Sequence, residues 1–123
     1  MPSFVLVQNR DRPIEAPARI QVCSSFGCRL RGLMFRSGLD RSDGLLLRMS
    51  GESRIDSSIH MFFVPFAISV FWVNSAMQVV DKVIARPWRP AYFPARPARF
   101  VLEMHPDRIS QYEIGQTVEF VDA

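Results

Sequence analysis

Few side chains in this sequence could carry out chemistry, and they are far apart along the chain. His60 stands inside an apolar stretch, and an imidazole there could serve as acid, base or metal ligand. No acidic partner or second ligand is near it in sequence, so a core or rim histidine hydrogen-bonded to backbone is the simpler reading. His105 precedes Pro106 in an expected loop and has a weaker claim. Glu103 follows the mostly apolar run Ala98 to Leu102, which would place its carboxylate partly in the interior. A structural ion pair with an arginine is the plainer expectation for it. Cys23 and Cys28 match no zinc pattern, since four ligands are needed and both histidines are distant. Neither cysteine sits in a nucleophile motif. They are too few for a disulfide scaffold, and a reducing compartment fits them best. Gly32, Gly38 and Gly44 do not form a phosphate loop after a strand, so no nucleotide cofactor is implied, and Asp40 and Asp43 read as a solvated turn.

A second pattern concerns binding. From Arg86 to Phe100, guanidinium groups alternate with Trp88, Tyr92, Phe93 and Phe100, a combination that stacks on bases and neutralises phosphates. An RNA-binding module is therefore one reading of residues 86–100. The other is a proline-ordered loop that tucks its tryptophan inward and points its arginines to water.

These residues need a scaffold, and the pattern of the chain supplies mostly strands. Phe4 to Gln8 is rich in β-formers, and Asn9 to Pro17 reads as a loop. Ile20 to Val22 suggests a short edge strand. Ser24 or Ser25 could cap a helix whose apolar stripe is Phe26, Leu30, Leu33 and Met34, ending near Gly38. Leu45 to Leu47 predicts a strand and Ser50 to Ser58 a loop. Ile59 to Phe63 and Ile68 to Val73 are continuous apolar runs separated by Pro65, expected as central strands covered on both faces or as one strand interrupted by a bend. Asn74 to Ala76 links the second run to Met77–Ile84 as a hairpin. Four prolines between Pro87 and Pro97 exclude a regular element there. Phe100 to Leu102 and Thr117 to Val121 add strands, with one helical turn opening at Pro106. The expected fold is mainly β: a small antiparallel β-sandwich or barrel-like domain with one or two short helices. Residues 1–17 would be an N-terminal strand and loop, and 18–123 a single β domain.

Composition agrees with that outline. The 123 residues are 48% hydrophobic and 22% charged, enough for one core and too apolar for global disorder. The net charge is +3, well short of a nucleic-acid-binding tail. All basic residues but Lys82 are arginine, which suits bidentate or stacked contacts and would also follow from a GC-rich coding sequence. Ile59 to Val73 is too short to span a bilayer, and no export leader is visible, so the expected location is cytoplasmic with no membrane partner.

Several ordered motifs resemble one family. Arg31-Gly32-Leu33-Met34-Phe35-Arg36, Gly44-Leu45-Leu46-Leu47, Ser58-Ile59-His60-Met61-Phe62-Phe63, Pro87-Trp88-Arg89 and Val101-Leu102-Glu103 resemble, in order, the motifs of domain of unknown function 192 (uncharacterised protein family 0127), in its variant with a histidine in the central strand. The resemblance covers about residues 18 to 121 and implies a compact, mainly antiparallel β domain with a short helix at Arg31–Met34. It implies no reaction. The family's usual Pro-x-Asp appears here as Ala67-Ile68-Ser69, Asn74 replaces an acidic turn residue, Asp107 replaces a glycine, and the late Gly-Asp is Gly115-Gln116. A polar site centred on those acids would be lost or altered in this chain.

The polar and aromatic positions retained are Arg31, Arg36, His60, Trp88, Arg89 and Glu103, the candidate ligand-binding set. An Arg31–Glu103 pair holding the helix to the sheet is the structural alternative, under which Glu103→Gln lowers stability. With no complete catalytic set, no cofactor motif and no metal cluster, the expectation is a non-enzymatic module. It would bind a small molecule or a protein in a groove near His60 and the 86–97 loop. The alternatives are the RNA-binding module and a hydrolase or transferase using His60 and Glu103.

Overall fold

The computed structural model describes residues 3–123; Met1 and Pro2, the start of the N-terminal segment read above, lie outside the described residues. Seven strands form one sheet that curls into a half-barrel. They are β1 (Phe4–Asn9), β2 (Arg19–Cys23), β3 (Asp43–Ser53), β4 (Ile68–Val73), β5 (Val79–Ala85), β6 (Ala98–Met104) and β7 (Val118–Asp122). Their spatial order is β5-β4-β6-β3-β2-β1-β7. Neighbours are antiparallel except β2 and β3, which run parallel, a departure from the all-antiparallel expectation. The parallel pair requires a crossover, and residues 24–42 provide it, including the short helix α1 (Phe26–Arg31). Accordingly β2 is not an edge strand, because β1 pairs on its other side.

Continuous apolar runs occur where both faces of the sheet are covered. All six residues of β4 are buried. Along β3 the side chains of Leu45, Leu47 and Met49 enter one core layer, while Leu46 enters the other. The second layer fills the concave side with Val7, Ile20, Phe71, Leu102 and Tyr112. The first layer contains Val70, Trp72 and Val101 and is covered by α1 and the segment from Arg54 to Phe66. Gly44 permits a close approach between strands, since a Cβ there would lie 2.4 Å from Ile20 Cδ1 and 2.8 Å from the Glu103 carbonyl oxygen.

Three local expectations fail, the first in part: residues 50–53, expected as loop, continue β3, and only the residues after Ser53 leave the sheet. Ile59–Phe63 is not a strand: it makes one isolated bridge, Ile59 to Tyr92, and then turns, leaving Phe62 and Phe63 exposed. Phe63 has φ 60°, which no strand accommodates. The helix ends at Arg31 rather than near Gly38, because Gly32 takes φ 48° and its N–H closes the last turn on the Cys28 carbonyl. Of the expected apolar stripe only Leu33 is buried, while Phe26 and Leu30 face solvent. α1 is therefore secured by polar and covalent ties. Ser25 Oγ accepts from the Cys28 N–H at 3.2 Å, and Arg29 Nη1 donates to the Arg48 carbonyl at 3.1 Å. Cys23 and Cys28 form a disulfide between β2 and α1. That bond removes the support that unpaired thiols had given to a reducing compartment.

Candidate functional site

A cavity of about 330 Å³ opens on the convex face between α1, β3 and the 56–64 segment. Its walls are mixed, with an apolar part formed by residues such as Leu33, Leu47, Met49, Met61, Val64 and Ile68. Each belongs to an element whose alternation or turn points it there, so the residues read in sequence as core are lining residues as well. Arg29, Arg31, Ser50, Asp56, Ser58 and His60 supply its polar groups, together with Glu103.

Glu103 is the unusual member. Alternation along β6 sends Phe100, Leu102 and Met104 to the concave layer and therefore turns Glu103 to the convex side. It is only 4% exposed, yet among the described residues no hydrogen bond or ion pair within 4 Å reaches its carboxyl group. The expected Arg31–Glu103 pair does not form, because the C-terminal end of α1 presents Gly32 to the carboxylate: a Cβ on Gly32 would sit 3.8 Å from Oε1. Burial raises the Glu103 pKa to about 7, against a weaker downward pull from the Arg36 guanidinium. The group thus divides between its acid and its carboxylate near neutral pH.

His60 lines the same cavity, on the same side of the sheet as Glu103. Both of its ring nitrogens are engaged by backbone: Nε2 is 3.2 Å from the Leu30 carbonyl, and Nδ1 accepts from the Phe62 N–H at 3.2 Å. A neutral ring protonated on Nε2 satisfies both contacts, and it clamps the end of α1 to the 59–63 turn.

The six sequence candidates divide into three groups. Arg31, His60 and Glu103 line the main cavity. Arg36 lines a smaller adjoining one of about 250 Å³, where Arg31 and Gly32 also contribute. Trp88 and Arg89 line neither, and no residue of 86–97 does. The two cavities thus bring Arg31, His60 and Glu103 together under α1 without the 86–97 loop. Trp88 instead packs edge-on against Phe63 on the outer surface, with ring centroids 5.2 Å apart. Ser69, at the position of the missing aspartate, donates to the carbonyls of Met104 and His105 at 3.1 and 2.9 Å and does not line either cavity. No cluster of three metal-ligating side chains occurs among the described residues. Among them, too, no helix is long and apolar enough to cross a membrane.

Sequence reading missed Asp56, Ser58 and Met49 as lining residues. Nothing in their local pattern distinguishes a cavity wall from a loop or a core, although an acid amid apolar neighbours, as at Glu103, was a usable signal.

Comparison with known proteins gives consistent results. Among curated proteins, a UPF0127 protein of Thermococcus sibiricus is 34% identical over 105 residues, covering 83% of this chain and 66% of that protein. One from Thermococcus gammatolerans is 39% identical over 84 residues, 68% of this chain and 53% of that protein. The chain thus spans between half and two thirds of the length of these relatives. One from Pyrococcus abyssi is 27% identical over 118 residues, covering 94% and 97% of the two chains. Among solved structures, a putative transcription regulator from Sinorhizobium meliloti superposes with a TM-score of 0.83 at 14% identity, covering 98% of this chain and 94% of that one. A protein of unknown function from Novosphingobium aromaticivorans gives 0.78 at 19%, covering 96% and 84%. At such identities the likeness is one of fold. The sequence model of the family described as uncharacterized ACR matches residues 6–120, from within β1 into β7 and across every residue of the cavity, and on that match this chain belongs to the domain of unknown function 192 family.

Proposed function

We propose that this chain is a ligand-binding domain whose cavity takes a small, mainly apolar molecule bearing one polar group that meets Glu103. The observation that carries this reading is Glu103: the residue is only 4% exposed, its carboxyl group has no protein partner among the described residues, and its oxygens are accessible at the cavity rather than sealed in the core. Burial there disfavours the carboxylate, and a ligand polar group that pairs with Glu103 offsets that cost on binding. Arg29 and Arg31 make the cavity's cationic groups outnumber Asp56, which favours a ligand carboxylate or carbonyl accepting a hydrogen bond from protonated Glu103.

Binding is favoured over hydrolase or transferase chemistry because both nitrogens of His60 are engaged by backbone and Glu103 has no hydrogen-bonded relay to it. Arg31, His60 and Glu103 are the proposed contacts, with Arg36 acting on Glu103 through space.

The test is a titration of the isotopically labelled chain with octanoate, 1-octanol and octylamine, followed by backbone amide shifts. The acid should perturb Gly32, Leu47 and Met61 most and bind more tightly as pH falls through 7, the value near which Glu103 gains its proton. Glu103→Gln should abolish that pH dependence. No shift with any of the three probes, or shifts scattered away from the cavity, defeats the reading.

A further inference from the structure

Outside the cavity, one surface feature is unexplained by packing. Phe35, Phe63 and Trp88 come from three separate segments and meet in the open: Phe35 and Phe63 stack with centroids 5.0 Å apart at 30°, and Trp88 meets Phe63 edge-on. They are 68%, 47% and 52% exposed. Each also has a left-handed backbone, with φ of 67°, 60° and 66°. Among the described residues the only other non-glycine residue of this kind is Met77, in the hairpin between β4 and β5.

That coincidence bears on function. A bulky residue in this conformation costs roughly 1–2 kcal/mol that glycine would avoid. The turns are fixed by backbone bonds, the Phe35 N–H to the Phe63 carbonyl and the Trp88 N–H to the Met61 carbonyl, both 2.9 Å, which glycine could make equally well. Folding therefore gains little from large rings at these positions. Held rigidly outward, they are ready-made contacts for something flat.

Charge indicates what that partner is. The acid-free stretches 16–39, 57–80 and 82–102 contain Phe35, Phe63 and Trp88 in turn. They hold none of the twelve acidic residues, and of their nine basic residues Arg19, Arg29, Lys82 and Arg99 are engaged elsewhere, by Phe4, the Arg48 carbonyl, Glu113 and the Met49 carbonyl. Arg36 follows Phe35, and Arg86 and Arg89 flank Trp88; all three are exposed, and none makes an ion pair among the described residues. Planar guanidiniums beside rigid rings match phosphate oxygens beside bases. Bases in a duplex are stacked on one another, so an open ring cluster selects an unpaired strand.

We propose that Phe35, Phe63 and Trp88 form a stacking platform for the bases of a single-stranded nucleic acid, with Arg36, Arg86 and Arg89 engaging its phosphates. The three rings, Arg86 and Arg89 line neither cavity, so only Arg36 is shared with the surroundings of Glu103 and the tests below rest on the other residues.

The test uses a fluorescein-labelled oligouridylate and the matching oligothymidylate, about twelve nucleotides long, a length within the usual site sizes of such surfaces. Anisotropy should rise at low salt, and the tryptophan emission should fall, because Trp88 is exposed while Trp72 is buried and bonded to the Ser57 carbonyl. Trp88→Ala should weaken binding by about tenfold or more. Trp88→Gly, which suits the left-handed backbone, should weaken it equally and guards against a folding artefact. Arg86→Ala with Arg89→Ala should lower the slope of log affinity against log salt by about 1.4. The proposal is overturned by no binding at low salt, by binding that Trp88→Gly leaves unchanged, or by self-association in sedimentation that buries Trp88. Tighter Trp88-dependent binding to phosphatidylserine vesicles than to either oligonucleotide also overturns it.

Discussion

Glu103 and Arg108 are close in sequence, both buried and both ionisable, yet they are treated in opposite ways. Arg108, in the 3₁₀ turn Pro106–Arg108, donates to the carbonyls of Arg41 and Ala16 and to Gln111 Oε1 at 2.5 to 3.1 Å. It ties the 10–18 and 40–42 loops to the end of β6. Nearby, Tyr112 donates to the Val7 carbonyl at 2.5 Å, and burial pushes its phenol pKa up, so the hydroxyl stays a donor. Glu103 has none of these ties. The concave side of the sheet satisfies its polar groups within the protein, whereas on the convex side the Glu103 carboxyl group opens to a cavity and no buried side-chain atom among the described residues is left unsatisfied. A carboxyl group that finds its partner outside the protein marks the side available for ligands.

The largest effect expected from breaking this contrast is at Arg108. Arg108→Ala strands three acceptors and should cost on the order of 4 kcal/mol, read as a lower urea midpoint. If it cost no more than an exposed arginine does, the concave network would be ornamental. Next comes Glu103→Gln, with the opposite sign. Its folded pKa of about 7 exceeds the ordinary 4.5, so the folded state binds more protons between those values. The Glu103 contribution to wild-type stability should therefore be greatest below pH 4.5, fall by roughly 3 kcal/mol as pH rises to about 7, and level off above it, against the opposite trend at lower pH from Asp40 and Glu113, whose pKa values are lowered. Glu103→Gln should flatten that profile and exceed wild type above pH 7. The ion-pair expectation said the reverse, so urea titrations across this range decide between them.

Third is the covalent tie of α1. Cys28→Ser opens the short loop closed with Cys23 and should cost about 2 kcal/mol in the chain-entropy account. It should also speed amide exchange in 26–31 ahead of the sheet, because α1 buries no residue of its own. Equal exchange before and after would mean that the Arg29 and His60 ties hold the helix alone. The smallest effect belongs to the aromatic platform: Trp88→Gly removes an exposed ring and relieves a left-handed tryptophan, and should raise stability by about 1 kcal/mol. A loss of 2 kcal/mol or more in a thermal melt would make that ring a structural element.

Legibility varied with how local the cause was. Runs such as Ile68–Val73 and Phe4–Gln8 announce strands because β-branched and aromatic residues tolerate little else between turn signals. The Asn74–Ala76 hairpin and the proline-ordered 86–97 segment were readable for the same reason. Ile59–Phe63 has an equally apolar composition and misled, since Met61 and Ile59 are buried but Phe62 and Phe63 turn outward through a left-handed residue. The helix misled similarly: spacing predicted a packed stripe, and Gly32 cut it short.

The sequence by itself determined a mainly β chain, the family motifs and the polar positions worth testing, because alternation, turn chemistry and motif order are properties of neighbouring residues. Only the tertiary structure decided that β2 runs parallel to β3, that Cys23 reaches Cys28, that Glu103 has no partner while Arg108 has three, and that three distant aromatic residues share one surface. Those outcomes depend on how segments far apart in the chain are brought together, and the free energy of a buried charge or an exposed ring is set by what the fold places beside it.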